Sequence, residues 1–183
     1  LADKHLLLFL IGVALLNETH QTITVFLNQL QYVKCGLSPS AIGYIYILVT
    51  IFGLCGIFSY RITKKIGSTR TAALLFSIAA IACILLAFTS HAFLSVLAIL
   101  ALRVAHSLFQ PLQEELQNRQ ITAADRATAL SINAVIIDSI GVATNIAFGS
   151  LAQYSLPLSL LFGATLCVLG IFLLKYAIFR WRF

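Results

Sequence analysis

The sequence predicts an all-α, polytopic membrane protein: a single domain over residues 1–183, with six transmembrane helices in an inverted repeat of three plus three. Three observations carry that prediction. Of the 183 residues, 60% are hydrophobic and 10% charged, whereas a soluble domain carries about 25% charged residues. The apolar residues fall into six runs, near 4–33, 41–60, 71–89, 92–110, 127–153 and 158–178, and a helix needs ~20 such residues to cross the hydrocarbon core. Polarity along the runs also recurs with a period of three.

Fibrous, disordered and nucleic-acid-binding classes are excluded, since each needs a repeat or a charged, solvated surface. In lipid only helices and closed barrels satisfy their backbone, and these runs lack the alternation of barrel strands and are twice too long for them. The expected loops are rich in breakers and charge: Lys34 to Pro39, Arg61 to Arg70, Ser90-His91, Pro111 to Arg126, and Tyr154 to Pro157. Lys4 ahead of Leu6–Leu16 imitates a signal peptide, but no small-x-small cleavage site follows. The sequon Asn17-Glu18-Thr19 falls at mid-span. The four cysteines form no C-x-x-C pair, and neither a metal nor a cofactor is expected. The chain begins at Leu1 and contains no methionine, so it is expected to be part of something longer.

Orientation follows from the basic residues. Numbering the loops alternately puts Lys4, Arg61, Lys64, Lys65, Arg70, Arg119, Arg126, Lys175, Arg180 and Arg182 on one side and only Lys34 on the other. The positive-inside rule then makes both termini cytoplasmic.

The first run is interrupted by Asn17, Glu18, Thr19, His20, Gln21, Thr22, Thr24, Asn28, Gln29 and Gln31. The second is intermediate, with Tyr44, Tyr46 and Thr50 and the close-packing glycines Gly43, Gly53 and Gly56; the third is almost wholly apolar. The order then recurs, with Arg103, His106, Ser107 and Gln110 on the fourth, Ser131, Asn133, Asp138, Thr144 and Asn145 on the fifth, and an apolar sixth. Three crossings invert the second copy, a common plan among secondary transporters. Helices three and six are accordingly expected to face lipid.

Helical spacing groups the polar residues. Asn17, Gln21, Thr24, Asn28 and Gln31 share one stripe of the first helix; Arg103, His106 and Gln110 share one on the fourth; Ser131, Asp138 and Asn145 share one on the fifth. Single polar residues more often glue helices together, at about 0.6 kcal/mol each, but three coherent stripes favour a water-filled path. At 1.5 Å per residue, Arg103 and Asp138 each lie ~16 Å into their helices and Glu18 ~20 Å, near the middle of a ~30 Å core. Charge at that depth costs at least ~2.5 kcal/mol per group and marks ion or substrate chemistry.

The segment Asn118-Arg119-Gln120-Ile121-Thr122-Ala123-Ala124-Asp125-Arg126-Ala127-Thr128-Ala129-Leu130-Ser131 resembles the cytoplasmic stretch between the tenth and eleventh helices of many bacterial major facilitator superfamily transporters. Arg61-Ile62-Thr63-Lys64-Lys65-Ile66-Gly67 is similar to that family's G-x-L-A-D-R-x-G loop, with Tyr60 replacing the first Gly and Lys64 the Asp. Gly149-Ser150-Leu151-Ala152-Gln153 is similar to the same motif with Gln153 for the acid. The resemblance covers the whole chain and implies one six-helix half of such a transporter, helices seven to twelve. Its partner would be a missing N-terminal half or a second copy, in a bacterial inner or plasma membrane.

The resulting expectation is proton-coupled export of a small organic molecule by alternating access. Glu18 would carry the proton, and Arg103 would pair with Asp138. Asn17, Gln21, Thr24, Asn28, Tyr44, Tyr46, His106, Gln110 and Asn145 would line the cavity. Lys64, Lys65, Gly67, Arg126 and Gly149 would serve the loop motifs, with Thr122 and Asp125 capping the fifth helix. Partners would be the substrate, protons and the bilayer, with no nucleic acid. A channel or structural subunit is the alternative. An intramembrane protease fits poorly, because no G-x-S-G occurs and His106 and Ser107 are adjacent, pointing about 100° apart.

Overall fold

The computed structural model of the chain describes residues 4–120 and 126–180. Among these, six helices are long and apolar enough to cross a membrane: α1 (Lys4–Lys34), α2 (Pro39–Ile66), α3 (Ser68–Phe88), α4 (Ala92–Arg119), α5 (Arg126–Tyr154) and α6 (Leu156–Arg180). Thr122, Asp125 and Arg182 lie outside the described residues.

Local chemistry sets the boundaries. The Ser38 hydroxyl accepts from the Ala41 amide at 3.3 Å and Pro39 follows at the first helical position, where its missing N–H is harmless. Pro157 likewise falls in the first turn of α6, right after Leu156. The break between α2 and α3 is Gly67 alone, at φ +85°, a conformation that costs glycine little. The expected basic loop from Arg61 to Arg70 is therefore helix on both sides of one residue.

The expected end of the fourth helix at 110 is also corrected, because α4 runs through Pro111 to Arg119. Proline in a helix leaves the carbonyl four residues back without its amide partner, here that of Ser107. Gly56 of α2 fills the gap, and a Cβ on it would stand 2.8 Å from the Ser107 oxygen. Three residues on, the Ser59 hydroxyl donates to the Leu108 carbonyl at 2.6 Å.

Two helices change winding at mid-span. Thr22–Leu27 of α1 is π-helical and Gly53–Phe58 of α2 is 3₁₀. In a 3₁₀ segment residues three apart eclipse. Gly53 and Gly56 thus face α4 together, with the Arg103 guanidinium against Gly53.

Packing is paired. α3 lies along α6, α3 along α4 and α6 along α1, while α2 packs on α4 and α5 on α1 and α6. Glycines set the closest approaches on α6: Gly170 admits the Phe76 ring, and Gly163 seats Thr19, Ile23 and Cys83. Small residues are the usual means of bringing helices together in lipid. The apolar helices α3 and α6 are thus a central seam rather than simply a lipid-facing pair. Their outer side still carries an apolar groove lined by Ile84, Leu161, Ala164, Val168, Leu169 and Phe172. The least buried spans are α2 and α5.

Candidate functional site

A cavity of about 360 Å³ lies between α1, α4 and α5, lined by Asn17, Glu18, His20, Gln21, Val25, His106, Ile137 and Asp138. It gathers two carboxylates and two imidazoles inside the membrane-spanning region. Glu18 is only 8% exposed. Its Oε2 accepts from Asn145 Nδ2 at 2.8 Å, and Asn145 Oδ1 accepts from the Thr22 hydroxyl at 2.5 Å. The carboxyl lies flat on Gly141, one turn before Asn145, where a Cβ would be 2.7 Å from Oε1. Gly141 supplies the space and Asn145 the donor.

The two imidazoles bridge α1 and α4. His20 and His106 stack with ring centroids 3.9 Å apart and planes within 5°. His20 Nε2 lies 3.3 Å from the Thr24 hydroxyl, while His106 Nδ1 is buried without a hydrogen-bond partner. Toward one end of the cavity, Asn17 Nδ2 donates to Gln113 Oε1 at 3.3 Å, a second tie between α1 and α4.

Arg103 and Asp138 are not paired. The guanidinium of Arg103 lies over Gly53 of α2, its Nε buried and unpartnered, and Asp138 is exposed on α5. Among the described residues the one ion pair is Arg119 with Glu115, at the end of α4. The expected pairing assumed that α4 and α5 are neighbours. Instead α4 packs on α3 and α2, and α5 on α1 and α6.

The stripe on α1 divides at the π-helical turn. Asn17 and Gln21 face the cavity, whereas Thr24, Asn28 and Gln31 turn into the bundle. Thr24 donates to the His20 carbonyl at 2.7 Å, and Asn28 donates to the Thr24 carbonyl at 2.6 Å while accepting from Tyr46 at 3.1 Å. Gln31 donates to Ser95 Oγ and the Thr89 carbonyl, both at 3.0 Å, clasping the far end of α1 to the start of α4. Tyr44 and Gln110 are exposed away from the cavity lining. Asn145 serves Glu18 rather than the cavity wall. His20 was legible as polar but not as a lining residue, and Val25 and Ile137 carried no polar signal.

No family model, curated protein or solved structure matches the chain. Lys64 and Lys65 are exposed on α2, and the Lys64 ammonium sits 6.0 Å from the Tyr60 ring centre. Arg126 donates to Asn118 Oδ1 at 3.0 Å, tying α5 to α4. Gly149 is exposed with open space where a Cβ would be. Among the described residues no group of three His, Cys, Asp or Glu is placed to hold a metal ion.

Proposed function

We propose that the chain is one six-helix half of a proton-coupled secondary transporter of the major facilitator type, exporting a small organic molecule by alternating access, with Glu18 as the proton-carrying group. The observation that carries this reading is Glu18 itself: a nearly buried carboxyl in the middle of a span, at the wall of a cavity. An ionisable group in that position normally marks an ion or substrate path.

The packing supports the inverted repeat. The second helix of each triplet lies on the first helix of the other (α2 on α4, α5 on α1), and the third helices lie on each other and on those same first helices. A pseudo-two-fold axis in the membrane plane would produce this contact pattern. The exposed apolar faces of α2 and α5, among them Ile47, Ile51, Leu54, Val135, Val142 and Ile146, are where a second half would dock. The basic end of α2 and the positive-inside bias support a multi-pass protein of the cell membrane with both termini cytoplasmic.

The test is gradient-driven flux beside counterflow exchange, measured for the complete transporter in proteoliposomes. Glu18→Gln should abolish accumulation driven by a pH gradient and spare exchange, since the amide keeps the shape but cannot take up a proton. Accumulation at the wild-type rate in that variant would remove Glu18 from the coupling mechanism.

A further inference from the structure

Thr22, Asn145 and Glu18 form a hydrogen-bond chain with one direction. The Thr22 hydroxyl donates to the Asn145 carbonyl oxygen, and the Asn145 amide donates to the Glu18 carboxylate. Thr22 is 5% exposed and opens the π-helical turn of α1, a kind of turn frequently found at functional sites. An ionised carboxylate only accepts, an amide accepts at one end and donates at the other, and a hydroxyl does either. The direction observed is therefore the one an ionised Glu18 requires.

A proton arriving at Glu18 has two oxygens to choose from. Oε1 lies against the bare face of Gly141. On Oε2 the proton meets Asn145, whose amide need only turn over to present Oδ1 across the existing 2.8 Å contact. The amide nitrogen then faces Thr22, whose hydroxyl must accept. The Thr22 hydroxyl keeps its proton and turns it to donate a hydrogen bond to the Glu18 backbone carbonyl four residues back. The Thr19 and Thr24 hydroxyls already make that bond, to Leu15 and His20 at 2.7 Å.

We propose that Thr22 and Asn145 are positioning residues for the proton on Glu18. Uptake reverses the chain, turns the Asn145 amide over and moves the Thr22 hydroxyl bond from α5 to the α1 backbone. The charge state of Glu18 is thereby passed to the α1–α5 contact at the π-helical turn. This rests on the reading of Glu18 as the proton carrier. Other groups around Glu18 are Asp138 on α5, His20 on α1 and His106 on α4, all at the cavity. Arg103 lies one turn before His106, and α3 and α6 bring the Cys83 and Cys167 thiols together behind Thr19. None of them bonds to the three-residue chain.

The experiment is pH-difference infrared spectroscopy of the complete transporter in lipid, beside flux measurements. The Glu18 carboxyl band is assigned by its loss in Glu18→Gln and the Asn145 amide band by its loss in Asn145→Leu. In the wild type the amide band should change with the same midpoint as the carboxyl band, and in Glu18→Gln it should stay fixed. Thr22→Val should cut gradient-driven accumulation about tenfold, the equivalent of one lost hydrogen bond of up to ~1.5 kcal/mol, while exchange stays within about twofold. Thr22→Ser should restore accumulation. An amide band that ignores the carboxyl titration overturns the proposal, as does wild-type accumulation by Thr22→Val when Glu18→Gln has lost it. If Glu18→Gln itself accumulates normally, the carrier assignment falls first and takes this inference with it.

Discussion

Replacing Gly56 by alanine tests the contact between α2 and α4 most directly. The added Cβ would stand 2.8 Å from the Ser107 carbonyl oxygen and 3.9 Å from the Pro111 ring. That oxygen belongs to helix backbone, so no side-chain rotation relieves the clash and the helices must separate. Overpacking of this kind costs about 1–3 kcal/mol. Separation also stretches the Ser59 bond to Leu108, worth about 1 kcal/mol. Gly43 is the matched control. It lies in the same helix with nothing within 4 Å of the point where an added methyl would stand, so alanine there should be neutral or stabilising by roughly 0.5–1 kcal/mol. Thermal unfolding can be followed with a thiol-reactive dye, since Cys83 and Cys167 are wholly buried until the bundle opens. At roughly 2–4 °C per kcal/mol for a chain of this size, Gly56→Ala should unfold about 4–16 °C below the wild type and Gly43→Ala at or slightly above it. Equal transition temperatures for the two variants would refute the backbone contact and, with it, the assignment of Pro111 as the residue that opens α4 to α2.

Two further outcomes follow from burial and pairing. Asp138→Asn should leave stability within about 0.5 kcal/mol of the wild type, measured by the same dye assay; a loss of ~3–5 kcal/mol would instead mark a broken buried ion pair. A membrane-impermeant maleimide should label Cys35, partly exposed just after α1, faster than Cys83 and Cys167 in the folded protein, and comparable labelling of all three would contradict the α3–α6 seam.

The helices were legible in the sequence because lipid imposes one solution on the backbone, and apolar runs of sufficient length announce it. Gly67 shows where reading stops. A run of basic residues looks like a loop, yet nothing in it prevents helix until glycine adopts a positive φ. Pro111 misleads in the opposite way, since the cost of proline in a helix is offset when a neighbouring helix covers the freed carbonyl. The stripe on α1 assumed a constant 100° per residue, and the π-helical turn at Thr22–Leu27 breaks it between Gln21 and Thr24. For the site, Glu18 was visible from its charge and depth. Its partner was not, because opposite charges drew attention to Arg103 and Asp138 while the actual clasp is an uncharged amide. Gly141 and Asn145, four residues apart, were the available signal: a hole and a donor on one face of α5.

The winding of α2 makes it a screw whose pitch can be reset. Six residues at the 3₁₀ rise of ~2.0 Å span about 3 Å more than at the α rise, and each turns by ~120° rather than ~100°. Converting Gly53–Phe58 to α winding with the Pro39 end held would draw Arg61, Lys64 and Lys65 about 3 Å toward it and rotate them by about 120° around the helix axis. The same conversion would carry Ser59 away from the Leu108 carbonyl while Gly53 stayed in place. A short stretch of interior backbone thus fixes both the reach and the azimuth of the basic end, where it meets the headgroups.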